Sequence, residues 1–244
     1  MSDYFSIAPC WQDFADVLTS GLDRIILYGP PGTGKTFAAL RSGLSAHSVA
    51  ERLICTEDLT TADITGSWMP RGEGRWEWLE GPAIRAWRGD GARGGRLVVD
   101  EVDRAAGDVL SLLLAMTDTD GSAQWRNPET GDVVQPAKGF VAVMTTNSET
   151  LEEIPRALRD RFPVAIRIDR PHPSSVERLS VDLRAPAMSS SLAEMDRRIS
   201  LRTFYAFDVL RREHGAERAA QLLLGSQRST SFLDALRIGR LEES

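Results

Sequence analysis

Eight consecutive residues, Gly29-Pro30-Pro31-Gly32-Thr33-Gly34-Lys35-Thr36, set two glycines around four residues and follow them with a lysine and a threonine. Glycines at such positions let the backbone turn so that successive amides point inward, and a helix beginning just beyond favours anions at its N-terminus. In that arrangement Lys35 would reach the β- and γ-phosphates of a nucleoside triphosphate, and the Thr36 hydroxyl would ligate magnesium. A glycine-rich turn without a ligand is the plain alternative. Composition weighs against it, because of the 29 basic residues only Lys35 and Lys138 are lysine. A chain that has nearly abandoned lysine needs a reason for one at this spot.

A second cluster lies about 65 residues further on, where Leu97-Val98-Val99 runs into Asp100-Glu101. A carboxylate at the carboxyl end of a buried strand sits where open α/β sheets place their ligands. Asp100 can hold the magnesium through water, and Glu101 can polarise an attacking water. Acids also begin helices well, so capping is the competing use of this pair; the phosphate-type loop upstream favours the catalytic one.

The elements that must position these residues are short apolar runs alternating with helical patterns. Ile25 to Tyr28, Leu53 to Cys55, Leu97 to Val99, Phe140 to Met144 and Val164 to Ile168 read as buried strands. Helical stretches are expected from Lys35 to about Ala46, over Val109 to Met116, and in a short piece between Cys10 and Gly21. Continuous apolar strands separated by helices imply a parallel sheet covered on both faces. Two segments are richer in glycine and polar residues than a connection needs. Residues 66–81 hold Trp68 and an alternating Trp76-Glu77-Trp78, and 121–139 has a turn signal near Asn127 to Gly131. Both are expected to be inserted hairpins. After Arg170-Pro171-His172-Pro173 the strand signals stop. Ser174 to Leu183, Ser200 to His214, Ala216 to Leu224 and Ser231 to Ile238 read as helices, with Arg184 to Ser191 as a loop. The expected organisation is an α/β nucleotide-binding domain over 1–170 and a helical lid over 171–244.

The pairing of the phosphate-type loop with Val98-Val99-Asp100-Glu101-Val102-Asp103-Arg104 resembles the AAA+ ATPases, in their MoxR-like and dynein-related branch. Asp63-Ile64-Thr65-Gly66, followed by Glu80-Gly81-Pro82-Ala83-Ile84, is similar to that branch's run before the acidic strand. The resemblance covers about residues 20 to 215 and implies a P-loop fold: a five-stranded parallel sheet with helices on both faces and a small helical lid. It implies ATP and magnesium as ligands, a homo-oligomeric ring of six, and a remodelled protein client or adaptor, with a von Willebrand-type protein as one candidate. Under the same resemblance Asn147 is the polar residue that orients water against the γ-phosphate, although Asn-Ser also opens turns. Within Ala157-Leu158-Arg159-Asp160-Arg161-Phe162, Arg161 or else Arg159 is the finger offered to a neighbouring subunit, against the alternative of a surface ion pair. Arg202, opening a tail helix, is the lid's sensor, with Leu201, Phe204, Tyr205 and Val209 as that helix's buried stripe. Ser67 to Leu79 is the hairpin that faces the ring's pore in this branch; Trp76 and Trp78 fit a pore or the core equally well.

The rest of the composition excludes other classes. The formal charge is -6, unlike a chain whose whole surface grips nucleic acid. The start lacks a secretory pattern, no apolar run approaches a bilayer span, and Cys10 and Cys55 are too few for a disulfide framework, so a cytoplasmic site of action is expected. Three histidines and two cysteines show no metal-ligand spacing. No separate recognition domain stands out, so specificity is expected from loops, lid or adaptor. Two other functions compete: a nucleic-acid motor or McrB-like GTPase, and a nucleotide-dependent scaffold with little turnover. Met144-Thr145-Thr146-Asn147 departs from the Asn-Thr-Ala-Asp of the McrB-like group, and Glu101 is superfluous in a scaffold that does not turn over.

Overall fold

The computed structural model describes residues 8–45, 47–118, 121–191 and 198–242. Helix α1 spans Pro9–Thr19. Strand β1 (Arg24–Tyr28) follows, then α2 (Lys35–Arg41) and β2 (Ala50–Ile54). Helix α3 (Thr61–Thr65), the hairpin β3 (Gly66–Gly72) and β4 (Arg75–Glu80), and helix α4 (Pro82–Arg88) come next. Strand β5 (Arg96–Asp100), helix α5 (Gly107–Met116), the small hairpin β6 (Trp125–Arg126) and β7 (Val133–Val134), and strand β8 (Val141–Thr145) continue the chain. Helix α6 (Arg156–Arg161) and strand β9 (Val164–Arg167) close this part. The tail is helical: α7 (Pro173–Val176), α8 (Val181–Ser191), α9 (Leu201–His214) and α10 (Ala216–Glu242).

The chain divides into two compact units. One comprises Gln12–Gly29 and Lys35–Arg167; the other gathers Pro30–Gly34 with residues 8–11 and 168–242. The first unit is built on a five-stranded sheet in the order β2-β5-β8-β1-β9, with every pairing parallel. Parallel neighbours need crossover connections, and the helices that provide them cover both faces. Burial follows position in the sheet: all of β5 is buried, whereas the edge strand β2 buries only Leu53. Ile26, Leu97, Val99, Ala142 and Met144 from the strands pack with Ile84 and Trp87 of α4 and Leu113 of α5 in one core. Each such side chain, fully buried, contributes ~1.5–3 kcal/mol against leaving it in water.

Two strands begin with a buried arginine that closes a helix end. Arg96 opens β5, and its Nη1 donates to the carbonyls of Ala39 at 2.8 Å and Ser42 at 2.7 Å, at the end of α2. Arg24 opens β1 and donates to the carbonyls of Thr117 at 3.0 Å and Asp118 at 3.1 Å, just past α5. Last-turn carbonyls lack intrahelical partners and carry the negative end of the helix dipole, so a guanidinium there satisfies both needs. Burial pulls the Arg96 guanidinium down to about 10, which still leaves it charged at neutral pH.

The first inserted segment is a hairpin flanked by two helical pieces. Thr60 and Asp63 form a reciprocal capping box at the start of α3. The chain then enters β3 through Gly66, where a Cβ would stand 2.3 Å from the Leu79 carbonyl, so no side chain fits at the root of the hairpin. Trp68 pairs across the ladder with Trp78, and Pro70 with Trp76. Trp78 lies edge-on to Trp68 at 5.7 Å between centroids and beside Trp125 of the second hairpin at 5.8 Å. Trp76, at 60% exposure, is outside the core.

Four expectations about helices need correction. Helix α2 ends at Arg41, not near Ala46, which itself lies outside the described residues; Gly43 takes a φ of 68° and breaks the run. The helix expected from Ser174 to Leu183 is broken between α7 and α8, because the Ser180 amide and hydroxyl both bond to Asp208. Arg184 to Ser191 is the body of α8 and not a loop; it accommodates Pro186 while Leu183 and Ala187 are buried in the second unit's core. On α9 the buried side chains are Leu201, Phe204, Phe207 and Asp208, whereas Val209 is 61% exposed. The last two expected helices are both present within α10, separated by a non-helical Gly225.

Candidate functional site

In the sheet unit, β1 runs to Tyr28 and the chain turns at Gly29, whose amide donates to the Ser148 carbonyl at 2.8 Å. This ties the start of the loop to the segment after β8. Beyond the turn, α2 begins at Lys35, and its first-turn amides have no partner within the helix. Lys35 is 5% exposed. Its ammonium donates to the Gly29 carbonyl at 2.8 Å and to Asn147 Oδ1 at 3.1 Å. Asn147 in turn donates to Glu101 Oε1 at 3.5 Å.

Thr36, the next residue, donates to Asp100 Oδ1 at 2.8 Å. The parallel register sets Val99 opposite Met144, which brings Asp100 beside Thr145, and the Thr145 hydroxyl also donates to Oδ1. On the other side Ile54 of β2 is opposite Asp100. Arg52, two residues earlier and on the same face of β2, reaches up the strand to bond Oδ2. Burial alone would raise the Asp100 carboxyl, but the bonds from Thr145, Arg52 and Thr36 outweigh it and hold the group below its ordinary value. Glu101 has a φ of 57°, a left-handed conformation rare outside glycine, and pairs with Arg104 at 3.2 Å. Sparsely populated backbone of this kind concentrates where a side chain must be aimed.

Cys55 is fully buried below these acids. Burial first, then the charges of Asp103, Asp100 and Glu101, push its thiol up to about 12.

Of the residues singled out in the sequence, Lys35 and Thr36 from the first turn of α2 come together here with Asp100, Glu101 and Asn147 from the ends of β5 and β8. Arg161, at the end of α6, pairs with Asp118 at 3.6 Å and donates to the Ala157 carbonyl. Arg159 is half-buried on the same helix. In the second unit, Thr33 is buried, donates to the Pro30 carbonyl at 3.2 Å, and accepts from the His172 amide at 2.8 Å. A Cβ on Gly32 would stand 3.2 Å from the Ser200 Cβ, so the first turn of α9 lies against the loop residues of that unit. Ser200 caps α9, and Arg202 is exposed in that first turn. Arg52 and Thr145 went unnoticed in the sequence. The signal for Thr145 was a hydroxyl at the end of a buried strand. Arg52 had none, being one arginine among many.

Comparison with known proteins decides the family. The model of the AAA domain, dynein-related subfamily, matches residues 24–162. The chain belongs to this family. The matched span holds four of the five sheet strands, with β9 just beyond it, and both hairpins, Lys35, Asp100, Asn147 and Arg161. Among its relatives is the denitrification regulatory protein NirQ of Stutzerimonas stutzeri, 30% identical over 187 residues, which are 72% of this chain and 64% of NirQ. An uncharacterised protein of Staphylococcus haemolyticus is 30% identical over 152 residues, 60% of this chain and 55% of that protein. The chain thus spans between about half and two thirds of these relatives' lengths. Among solved structures, NtrX from Brucella abortus in complex with ADP superposes with a TM-score of 0.56 at 18% identity, over 96% of this chain and 58% of NtrX. That likeness is one of fold: the AAA domain's parallel sheet with its C-terminal helices. Among the described residues, no helix of this AAA chain is long and apolar enough to cross a membrane.

Proposed function

We propose that this chain is a magnesium-dependent ATP hydrolase of the MoxR-like kind, working as a ring to remodel or activate a partner protein. The observation that carries the reading is the Thr36–Asp100 hydrogen bond, 2.8 Å long, which joins the helix after the loop to the acidic strand. A hydroxyl and a carboxylate are hard oxygen donors of the kind magnesium takes, alongside phosphate oxygens and water, so the residues fit that ion. Bound there, magnesium would neutralise charge on the β- and γ-phosphates.

The chain's own residues supply the rest. Backbone amides from Gly32 to Thr36 hold the phosphates, and Lys35, already buried and bonded to the Gly29 carbonyl, adds a cation without reorganisation. Glu101 accepts a proton from the attacking water, and Asn147 holds that water in line through its amide. Under the family resemblance, Arg202 is the sensor residue. Arg161, or Arg159 next to it, is offered to the neighbouring subunit's nucleotide, which makes turnover a property of the ring. The client is a protein; the regulatory role in NirQ's name supports a client that is activated by remodelling.

The test is nucleotide binding by calorimetry with Mg-ATP and Mg-GTP, for the wild-type chain and Lys35→Ala. Binding of ATP that K35A loses supports the reading. Undiminished ATP binding by K35A, or a preference for GTP stimulated by DNA, overturns it.

A further inference from the structure

Asp100 is a carboxylate with both oxygens engaged. Its Oδ1 accepts from Thr36 and Thr145, and its Oδ2 from Arg52. These partners are not equivalent. Thr145 is 1% exposed and fixed inside the sheet. Thr36 is anchored in the first turn of α2. Arg52 stands on the edge strand β2, and its side chain is 44% exposed while that of Asp100 is 10%. Its guanidinium can swing into water without leaving a buried donor unpaired, so it is the partner that can yield.

We propose that Arg52 is a positioning residue that holds Asp100 Oδ2 and competes for it with the divalent cation, and so sets the magnesium demand of nucleotide binding. The inference rests on the nucleotide reading above. A guanidinium is a permanent single positive charge. While it stays against Oδ2 it repels a divalent ion brought to the same carboxylate. When it leaves, Asp100 is freed for the ion's water shell. The remaining nearby charges do not offset this: Lys35 is engaged by Gly29 and Asn147, and Glu101 by Arg104. A carboxylate held by an arginine is also kept ionised and oriented before nucleotide arrives.

The experiment titrates magnesium into the full chain with a fluorescent ADP analogue and reads the magnesium concentration at half-maximal binding, with thermal melting in EDTA as a check on folding. Arg52→Gln should lower that midpoint by about tenfold, since a unit charge a few ångströms from a divalent ion has been removed. Arg52→Lys, which keeps the charge, should stay within about threefold of wild type. A purely structural ion pair would shift the melting temperature and leave the midpoint in place. An R52Q midpoint equal to or above wild type, with binding lost in K35A, overturns the role of Arg52 alone. Undiminished binding in K35A overturns the phosphate-loop reading and this proposal with it.

Discussion

Lys35 donates a 3.1 Å hydrogen bond to Asn147, 112 positions further along the chain. The bond joins the first residue of α2 to the segment after β8; β1, which leads toward α2, and β8 are neighbours, with Ile26 opposite Met144. Asn147 also reaches Glu101, so one amide links the residue proposed to hold the phosphates to the residue proposed to activate water. Replacing Asn147 by Ala should therefore lower kcat by about 10²-fold, the loss typical of one aimed donor in a catalytic site. Nucleotide affinity should change far less, because Lys35 keeps its bond to Gly29. Steady-state hydrolysis beside equilibrium binding tests this, and equal losses in kcat and affinity would refute it.

Arg161 pairs with Asp118 at 3.6 Å, with both side chains about one third exposed. Exposed pairs of this kind hold with only about 0–1 kcal/mol, so the pair does little to oppose the finger role proposed for Arg161. Arg161→Ala should bind nucleotide like wild type and lose turnover by about 10³-fold or more. Mixing R161A with K35A chains should restore part of the activity, because each supplies what the other lacks. Full activity of R161A alone would remove the trans-acting role.

Arg96 is 3% exposed and donates to the Ala39 and Ser42 carbonyls at the end of α2. Arg96→Ala strands the Ala39 and Ser42 carbonyls and opens a cavity, which should cost about 2–4 kcal/mol. Urea unfolding followed by circular dichroism gives the number. A change within about 0.5 kcal/mol would show that water replaces the guanidinium freely.

Cys55 carries a pH signature. Its folded thiol is raised to about 12 from an ordinary value of 9.0. A raised value means the folded state keeps a proton that the unfolded chain releases. The stability it contributes is whole below pH 9 and is lost as pH rises toward 12. Wild type should therefore lose stability more steeply than Cys55→Ala in that window, by up to about 1.4 kcal/mol per pH unit. Comparing the two chains cancels the contribution of Cys10, whose thiol burial also raises. Parallel slopes would mean the thiol is open to solvent in the native state.

How much of this was legible beforehand depended on how local the cause was. The central strands were readable because burial on both faces leaves an unbroken apolar run, as in Leu97 to Val99. Lys35 stood out through scarcity, and its neighbours through fixed spacing. The edge strand β2 was harder: it begins with Ala50, Glu51 and Arg52, residues that edge position allows and that hide a strand. Arg52 could not be assigned at all, since its role exists only once β2 lies against β5. In the tail, Pro186 and its serines imitate a loop, while burial of Leu183 and Ala187 on their neighbours keeps α8 helical. Val209 fits a helical stripe on paper. The stripe instead runs through Phe207 and Asp208, because Ser180 and Arg211 make a buried carboxylate tolerable there.

The near-absence of lysine has a practical side. An acylating reagent meets just two side-chain amines in the entire polypeptide, Lys35 and Lys138. Lys138 stands in solvent and should be tagged at once, whereas the amine of Lys35 is shielded and engaged. The slow tagging of Lys35 is thus a built-in gauge of how often its amine leaves Gly29 and Asn147, readable by mass spectrometry without any engineered probe.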